Sequence, residues 1–269
     1  MDFQEFKNRV ARELKLDLNS YKDGQLQRRI NTLMTRKKIN TYADYYRVIS
    51  GDRAHFGDFV DYLTINVTEF FRDSRAFQQL EQKVLPELLA GNSRLKIWSA
   101  ACSNGAEPYS LAIILDELTP GRHHRIEATD LDPNILRTAA EGSYPPDLLR
   151  NVPAVRREKY FQRENGRYIL VQEIRRRVAF RRHDLLADPF GEGFDLIVCR
   201  NVQIYFTKEA QWRVNSRFCR ALKPGGVLFL GASETIFSPA ELGLERTAIC
   251  FYRRTGSGGR IKQGVEKKQ

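Results

Sequence analysis

The chain has no uninterrupted apolar run of the ~18 residues that a membrane span requires, so no insertion into a bilayer is expected. Met1 to Leu14 mixes charges with isolated apolar side chains and lacks the apolar stretch of a secretory signal, so a cytoplasmic location is expected. Cysteine is scarce: Cys102, Cys199, Cys219 and Cys250 stand at no metal-ligand spacing and sit among small or apolar neighbours. They read as buried free thiols. Only four histidines occur, two of them (His123 and His124) in a turn signal, so no metal site is expected. Glycine is sparse where a dinucleotide would need it. The loop Ala100 to Glu107 carries Gly105 alone instead of three spaced glycines, which argues against a pyrophosphate grip. A cofactor without phosphates could still lie over such small side chains.

Positive charge is plentiful. Of 269 residues, 44 are Lys or Arg and 33 Asp or Glu, giving a formal net charge of +11. That balance suits an acidic partner, whether nucleic acid, anionic membrane surface or acidic protein, without choosing among them. The segment Leu26 to Lys38 carries Arg28, Arg29, Arg36, Lys37 and Lys38 with no acid among them. At ~100° per residue Arg28, Arg29 and Arg36 share one arc beside the apolar stripe. This is either a solvated helix face or a docking surface for an acidic helix. A second cluster, Arg175 to Arg177 with Arg181 and Arg182, has the same two readings.

Periodicity divides the chain into unequal parts. Residues 1–75 read as a small helical domain of about four helices and a linker, because Phe3, Phe6, Val10 and Leu14, then Leu26, Ile30, Leu33 and Met34, recur at three- and four-residue steps. Residues 76–252 alternate between strand and helix signals. Leu95–Trp98, Arg125–Thr129, Phe194–Cys199, Val227–Leu230 and Ala248–Tyr252 read as strands, and Pro108 and Asp132-Pro133 open helices. That alternation implies an α/β fold with a parallel sheet covered on both faces. At about 145–180 it fails, and Arg167–Val171 and Val178–Phe180 read as strands of a small inserted antiparallel β-subdomain. Residues 253–269 read as a disordered tail.

Ligands of such sheets sit at the carboxyl ends of the strands. Asp130 ends a strand, as an acid that accepts bonds from ribose hydroxyls would, or as a plain loop residue. Arg200 and Asn201 end another, with Tyr205 just beyond. The linker places Asn66, Thr68 and Arg72 between apolar residues that can pack while polar tips face a ligand.

Four segments in order, Thr64–Asp73 (TINVTEFFRD), Ile97–Ser110 (IWSAACSNGAEPYS), Ala128–Asp132 (ATDLD) and Cys199–Phe206 (CRNVQIYF), resemble the chemotaxis receptor methyltransferases of the CheR type. The resemblance covers about residues 1–252. It implies a Rossmann-like sheet that binds S-adenosylmethionine and releases S-adenosylhomocysteine. Asn66, Thr68 and Arg72 would touch the cofactor from the linker, and Glu107 would stand near its methionine or ribose part. Asp130 would hold the ribose, and Asp184, Leu185, Arg200 and Asn201 would line the adenine side. The family often has asparagine at the Asp184 position and a second acid at the Ala106 position, so these two contacts differ here. The implied reaction is methyl esterification of glutamate side chains, with Arg72 and Tyr205 orienting the acceptor carboxylate. The implied partner is the cytoplasmic methylation region of chemotaxis receptors, a glutamate-bearing coiled coil that Arg28, Arg29 and Arg36 would dock. The short turn Glu164–Arg167 suggests independence from a receptor tail, and a monomer is expected. Two rival readings stand beside this one. A nucleic-acid methyltransferase would explain the charge, but Arg200-Asn201-Val202 stands where an amino-methylating enzyme would carry an aromatic-flanked Pro-Pro motif to hold a flipped base, so no nucleic-acid partner is expected. The other rival is a non-catalytic cofactor-binding adaptor.

Overall fold

The computed structural model describes residues 1–64 and 68–256. Asn66 and the stretch from residue 257 onward lie outside the described residues.

Four helices make the N-terminal part: α1 (Phe3–Leu14), α2 (Asp23–Arg36), α3 (Tyr42–Gly51) and α4 (Arg53–Leu63). Their starts are encoded locally. Asp2 and Glu5 form a reciprocal capping box on α1, while Thr41 and Asp52 accept backbone N–H groups at the heads of α3 and α4. The apolar stripes meet in one core around Phe6, Val10, Ile30, Tyr45 and Phe59.

After the linker come α5 (Ser74–Gln79), a π-helical turn (Leu80–Val84) and α6 (Leu85–Ala90). The sheet and its covers follow as β1 (Lys96–Ala100), α7 (Ala106–Leu118), β2 (Arg125–Asp130) and α8 (Pro133–Glu141). Next are β3 (Ser143–Tyr144), α9 (Ala154–Tyr160), β4 (Phe161–Glu164), β5 (Arg167–Leu170), α10 (Gln172–Arg175) and β6 (Val178–Arg182). The chain ends with β7 (Phe194–Cys199), α11 (Lys208–Ala221), β8 (Leu222–Leu230), β9 (Leu244–Ala248) and β10 (Phe251–Arg254). Seven strands form one sheet in the order β6-β2-β1-β7-β8-β10-β9. The first five are mutually parallel, and β10 runs antiparallel to β8 and β9. All six residues of β7 are buried, which is why that segment shows no polar alternation. Side chains alternate between two apolar layers: Ile97 packs with Ile113 and Phe77 on one face, Trp98 with Phe194 and Phe218 on the other. All four cysteines are buried free thiols.

Three expectations need correction. The expected tail does not begin at residue 253, because Arg253 pairs with Val227 and Glu245, and Arg254 with Leu244, within β10. Val178–Phe180 is not part of the small antiparallel sheet, which consists of β3, β5 and β4. Helix α10 turns the chain after β5, so β6 runs parallel to β2 at the edge of the main sheet, and Phe180 packs its ring 5.6 Å from Tyr109 of α7. Ala248–Tyr252 is not one strand either. It spans the end of β9, a turn with Cys250 at φ 72°, and the start of β10.

Candidate functional site

The carboxyl ends of β1, β2 and β7 open into a cleft of about 890 Å³, counting its solvent-filled mouth. Thr68, Arg72, Glu107, Asp130 and Asp184 all line it, as do Leu185, Arg200, Asn201 and Tyr205. Every described residue expected at the cofactor or acceptor thus borders one space.

The backbone around the cleft is unusual. Ala101, Ser103 and Asn201 hold φ values of 63°, 50° and 61° without being glycine. In the linker Phe71 (φ 51°) and Asp73 (φ 60°) flank Arg72. Such left-handed residues persist only where surrounding contacts hold them. Here Phe71 donates its N–H to Ser110 Oγ at 3.0 Å, and Phe70 packs edge-on to Tyr144 and Phe161. The linker is thereby pinned, with Arg72 lining the cleft.

Asp130 is buried and accepts the N–H of Ser103 at 2.8 Å on one oxygen and of Asp132 at 3.1 Å on the other. Each oxygen keeps a second lone pair for a ligand. Burial pushes its carboxyl up from the ordinary range, and the backbone N–H bonds counter this. Asp184 is also pushed up by burial, against the Leu186 N–H that bonds Oδ1, while its buried Oδ2 has no partner within the chain. Glu107 accepts the Ser99 hydroxyl at 2.8 Å and lies 3.6 Å from Arg200. Burial raises it more than these neighbours lower it. Arg200 ties that carboxylate to the linker, because its guanidinium also pairs with Asp73 and lies over the rings of Phe77 and Phe229.

Several residues were missed from sequence. Glu234 accepts four backbone N–H groups, from Asn201, Val202, Gln203 and Gly231 at 2.7–2.9 Å, and so shapes the whole loop after β7. Tyr21 and His183 line the cleft. Tyr21 pairs with Phe206 as an isolated bridge, Lys22 donates its N–H to the Tyr205 carbonyl, and Thr207 donates to Ser20, so the helical domain forms one wall of the site. These contacts join segments more than 180 residues apart and carry no local signal. Of the basic residues on α2, Arg28 and Arg36 are exposed and Arg29 is half-buried. Arg29 donates to the Tyr62 carbonyl, and both Arg29 and Arg36 lie over the Tyr62 ring.

Residues 66–247 match the family described as CheR methyltransferase, SAM binding domain, and residues 1–64 match its all-alpha domain. The chain belongs to the CheR methyltransferase family. It is 42% identical over 255 residues to a chemotaxis protein methyltransferase of Listeria innocua, covering 94% of this chain and 97% of that relative. It is 38% identical over 247 residues to chemotaxis protein methyltransferase 1 of Pseudomonas aeruginosa, covering 87% and 90%. The cleft fits the S-adenosylmethionine of the CheR domain. Besides Asp184 Oδ2, the buried Ser103 Oγ, His183 Nε2, Arg200 Nε and Asn201 Oδ1 lack partners within the chain. Buried polar atoms are normally paired, so a cluster of them around a cleft suits a ligand rich in donors and acceptors. Among the described residues no group of three His, Cys, Asp or Glu side chains could hold a metal, and no helix is long and apolar enough to cross a membrane.

Proposed function

We propose that this chain is a cytoplasmic, monomeric enzyme that methylates glutamate γ-carboxylates in the cytoplasmic region of chemotaxis receptors, without a metal or a nucleic-acid partner. The observation that carries the reading is the buried Asp130 carboxylate, held by two backbone N–H groups at a strand end with lone pairs left to accept ribose hydroxyls. Asp184 Oδ2 would accept from the adenine amino group, and Thr68, Arg72 and Glu107 would surround the methionine part. S-Adenosylmethionine, when bound, supplies an electrophilic methyl group on a sulfonium sulfur and leaves as S-adenosylhomocysteine.

The chain's own task is then positioning. A glutamate carboxylate with a pKa of ~4.3 is already ionised at neutral pH and needs no general base. Arg72 can pair with one acceptor oxygen and the Tyr205 hydroxyl can donate to it, which leaves the other oxygen aimed into the cleft. Walls drawn from both domains limit water and strengthen attraction between opposite charges. Alignment of this kind supplies most of the rate. Arg72→Ala and Tyr205→Phe should each lower turnover by about 10- to 100-fold; full turnover in both would remove the assigned roles.

The decisive test incubates the full chain with methyl-labelled S-adenosylmethionine and receptor-containing membranes, then applies mild base. Volatile methanol released from the receptor band, and lost with Asp130→Ala, is the expected result. Cofactor binding without receptor label would overturn the reading in favour of an adaptor.

A further inference from the structure

Two hollows lie beside the cleft: one shares Tyr21, Leu63 and Tyr205 with it, and the other shares none of its lining but includes Lys22 and Ile204, the chain neighbours of Tyr21 and Tyr205. The first is lined by Tyr21, Lys22, Gln25, Leu26 and Arg29 together with Tyr205. The other, about 930 Å³ with its open mouth, lies between Lys22, Ile204, Lys208 and Phe237. Tyr205 borders the first and Ile204 the second, so both hollows flank the single 3-10 turn Gln203–Tyr205, whose tyrosine lines the cleft. Lys22 belongs to both.

Their charge is one-sided. Lys22, Arg29 and Arg36 follow at seven-residue steps through the cap and body of α2, so they form one stripe along that helix. Lys208 adds a positive charge to the second hollow. The one acid lining either hollow, Glu234, is turned inward onto four backbone N–H groups. An apolar foothold stands at the same rim: Phe237 is 85% exposed, the most exposed large apolar side chain among the described residues. A single exposed apolar residue means little, but one beside a cavity and two lysines is the composition of an interface anchor.

We propose that the two hollows form one continuous track for an acidic, amphipathic helix of the acceptor. The track crosses the mouth at Tyr205, with one arm on Lys22, Arg29 and Arg36 and a second on Lys208 and Phe237. This rests on the acceptor reading above and adds that the methyltransferase domain, not only α2, selects the substrate. A helix lying in both arms presents its glutamate at the middle of the track, where Arg72 and Tyr205 stand. Cofactor binding is untouched by the second arm.

The test measures initial rates with receptor-containing membranes for the wild type, Lys208→Glu, Lys208→Arg and Phe237→Ala. Neither site threatens the fold: Phe237 faces solvent, and Lys208 is the first residue of α11, where an acid suits the helix dipole. Lys208→Glu and Phe237→Ala should each raise KM for the acceptor by about tenfold. The kcat at saturation and the calorimetric affinity for S-adenosylmethionine should keep their wild-type values, and Lys208→Arg should behave as wild type. Wild-type KM in both Lys208→Glu and Phe237→Ala overturns the second arm while leaving the acceptor reading intact. Absence of receptor labelling by the wild type itself overturns the acceptor reading, and the track with it.

Discussion

The two ends of the main sheet use the same residue types in opposite ways. At the amino ends, buried Asp195 takes the Lys96 N–H at 2.7 Å and the Lys223 ammonium at 2.6 Å. His124 there meets the Leu95 N–H at 3.0 Å and the Thr119 hydroxyl at 2.8 Å, one on each ring nitrogen. At the carboxyl ends, Asp184, His183, Ser103, Arg200 and Asn201 each keep a buried polar atom without a partner in the chain. The loops that carry Ser103 and Asn201 also hold non-glycine residues at positive φ, which the amino ends of the parallel strands β1, β2, β6, β7 and β8 lack. One end is closed by its own hydrogen bonds and the other is left open at the cost of strain. Departures from local consistency gather where a ligand has to be held.

The sharpest break of this comparison exchanges its two aspartates. Asp130→Asn should weaken S-adenosylmethionine binding about a hundredfold or more, since two charge-assisted hydrogen bonds of ~1.5–3 kcal/mol each are at stake. Asp195→Asn should do the reverse. It loosens the pairing to Lys223 and Lys96, costing about 1–3 kcal/mol of stability, and should leave cofactor affinity unchanged. Calorimetric titration and denaturant unfolding of both variants decide the matter. If both lost only stability, the two ends would not differ in role.

A smaller effect separates the open end by pH. His183 has a side chain 1% exposed, and its pKa is pushed down to about 4, first by burial and next by Arg181, with Asp188 opposing. The unfolded histidine titrates near ~6.5. The folded state therefore binds the proton later. Stability present above pH ~6.5 is lost progressively as the pH falls toward about 4, by up to about 3 kcal/mol. Asp130, Asp184 and Glu107, all raised by burial, act with the opposite sign, because the folded state takes up their protons first. The difference between wild type and His183→Gln isolates the histidine. Urea unfolding at pH 7.5 and 4.5 should show wild type losing more than the variant; equal losses would mean His183 is protonated in the fold.

The sequence was most legible where structure has a local cause. Continuous apolar runs such as Phe194–Cys199 marked strands buried on both faces, and Asp132-Pro133 marked the head of α8 through the bond from the Asn134 N–H to Asp132. The four family segments hold Thr68, Arg72, Glu107, Asp130, Arg200, Asn201 and Tyr205, which all line the cleft. What escaped was long-range. Val178–Phe180 has the same alternation whether it joins β5 or β2, and only the α10 reversal decides. Glu234 looks like any loop acid until the loop after β7 folds over it, and Tyr21 gains its place through a bridge to Phe206. The basic arc on α2 was visible, but not that Arg29 is partly committed to Tyr62 or that Lys22 and Lys208 line one hollow.

The gentlest probe of the comparison uses two glycines with nearly the same backbone. Gly105 (φ 84°) caps α7 at the open end, and Gly166 (φ 75°) sits with Asn165 (φ 48°) in the hairpin turn between β4 and β5. Both positive φ values at the hairpin suit a two-residue turn whose twist matches its strands. A methyl group at Gly166 would meet nothing within 4 Å, so Gly166→Ala should cost only the left-handed penalty of about 1 kcal/mol and leave cofactor affinity alone. At Gly105 the same methyl would stand 2.9 Å from Ala139 Cβ and 3.2 Å from the Phe180 and Tyr109 rings. Gly105→Ala should therefore add about 1–3 kcal/mol of overpacking to the same conformational penalty. It should also weaken cofactor binding, because relief of the clash displaces the Ala101–Ser103 loop from Asp130. Matched unfolding and titration curves for the two variants separate a turn that only closes a hairpin from one that shapes a site. If Gly105→Ala bound cofactor as well as Gly166→Ala, the loop's strain would serve packing alone.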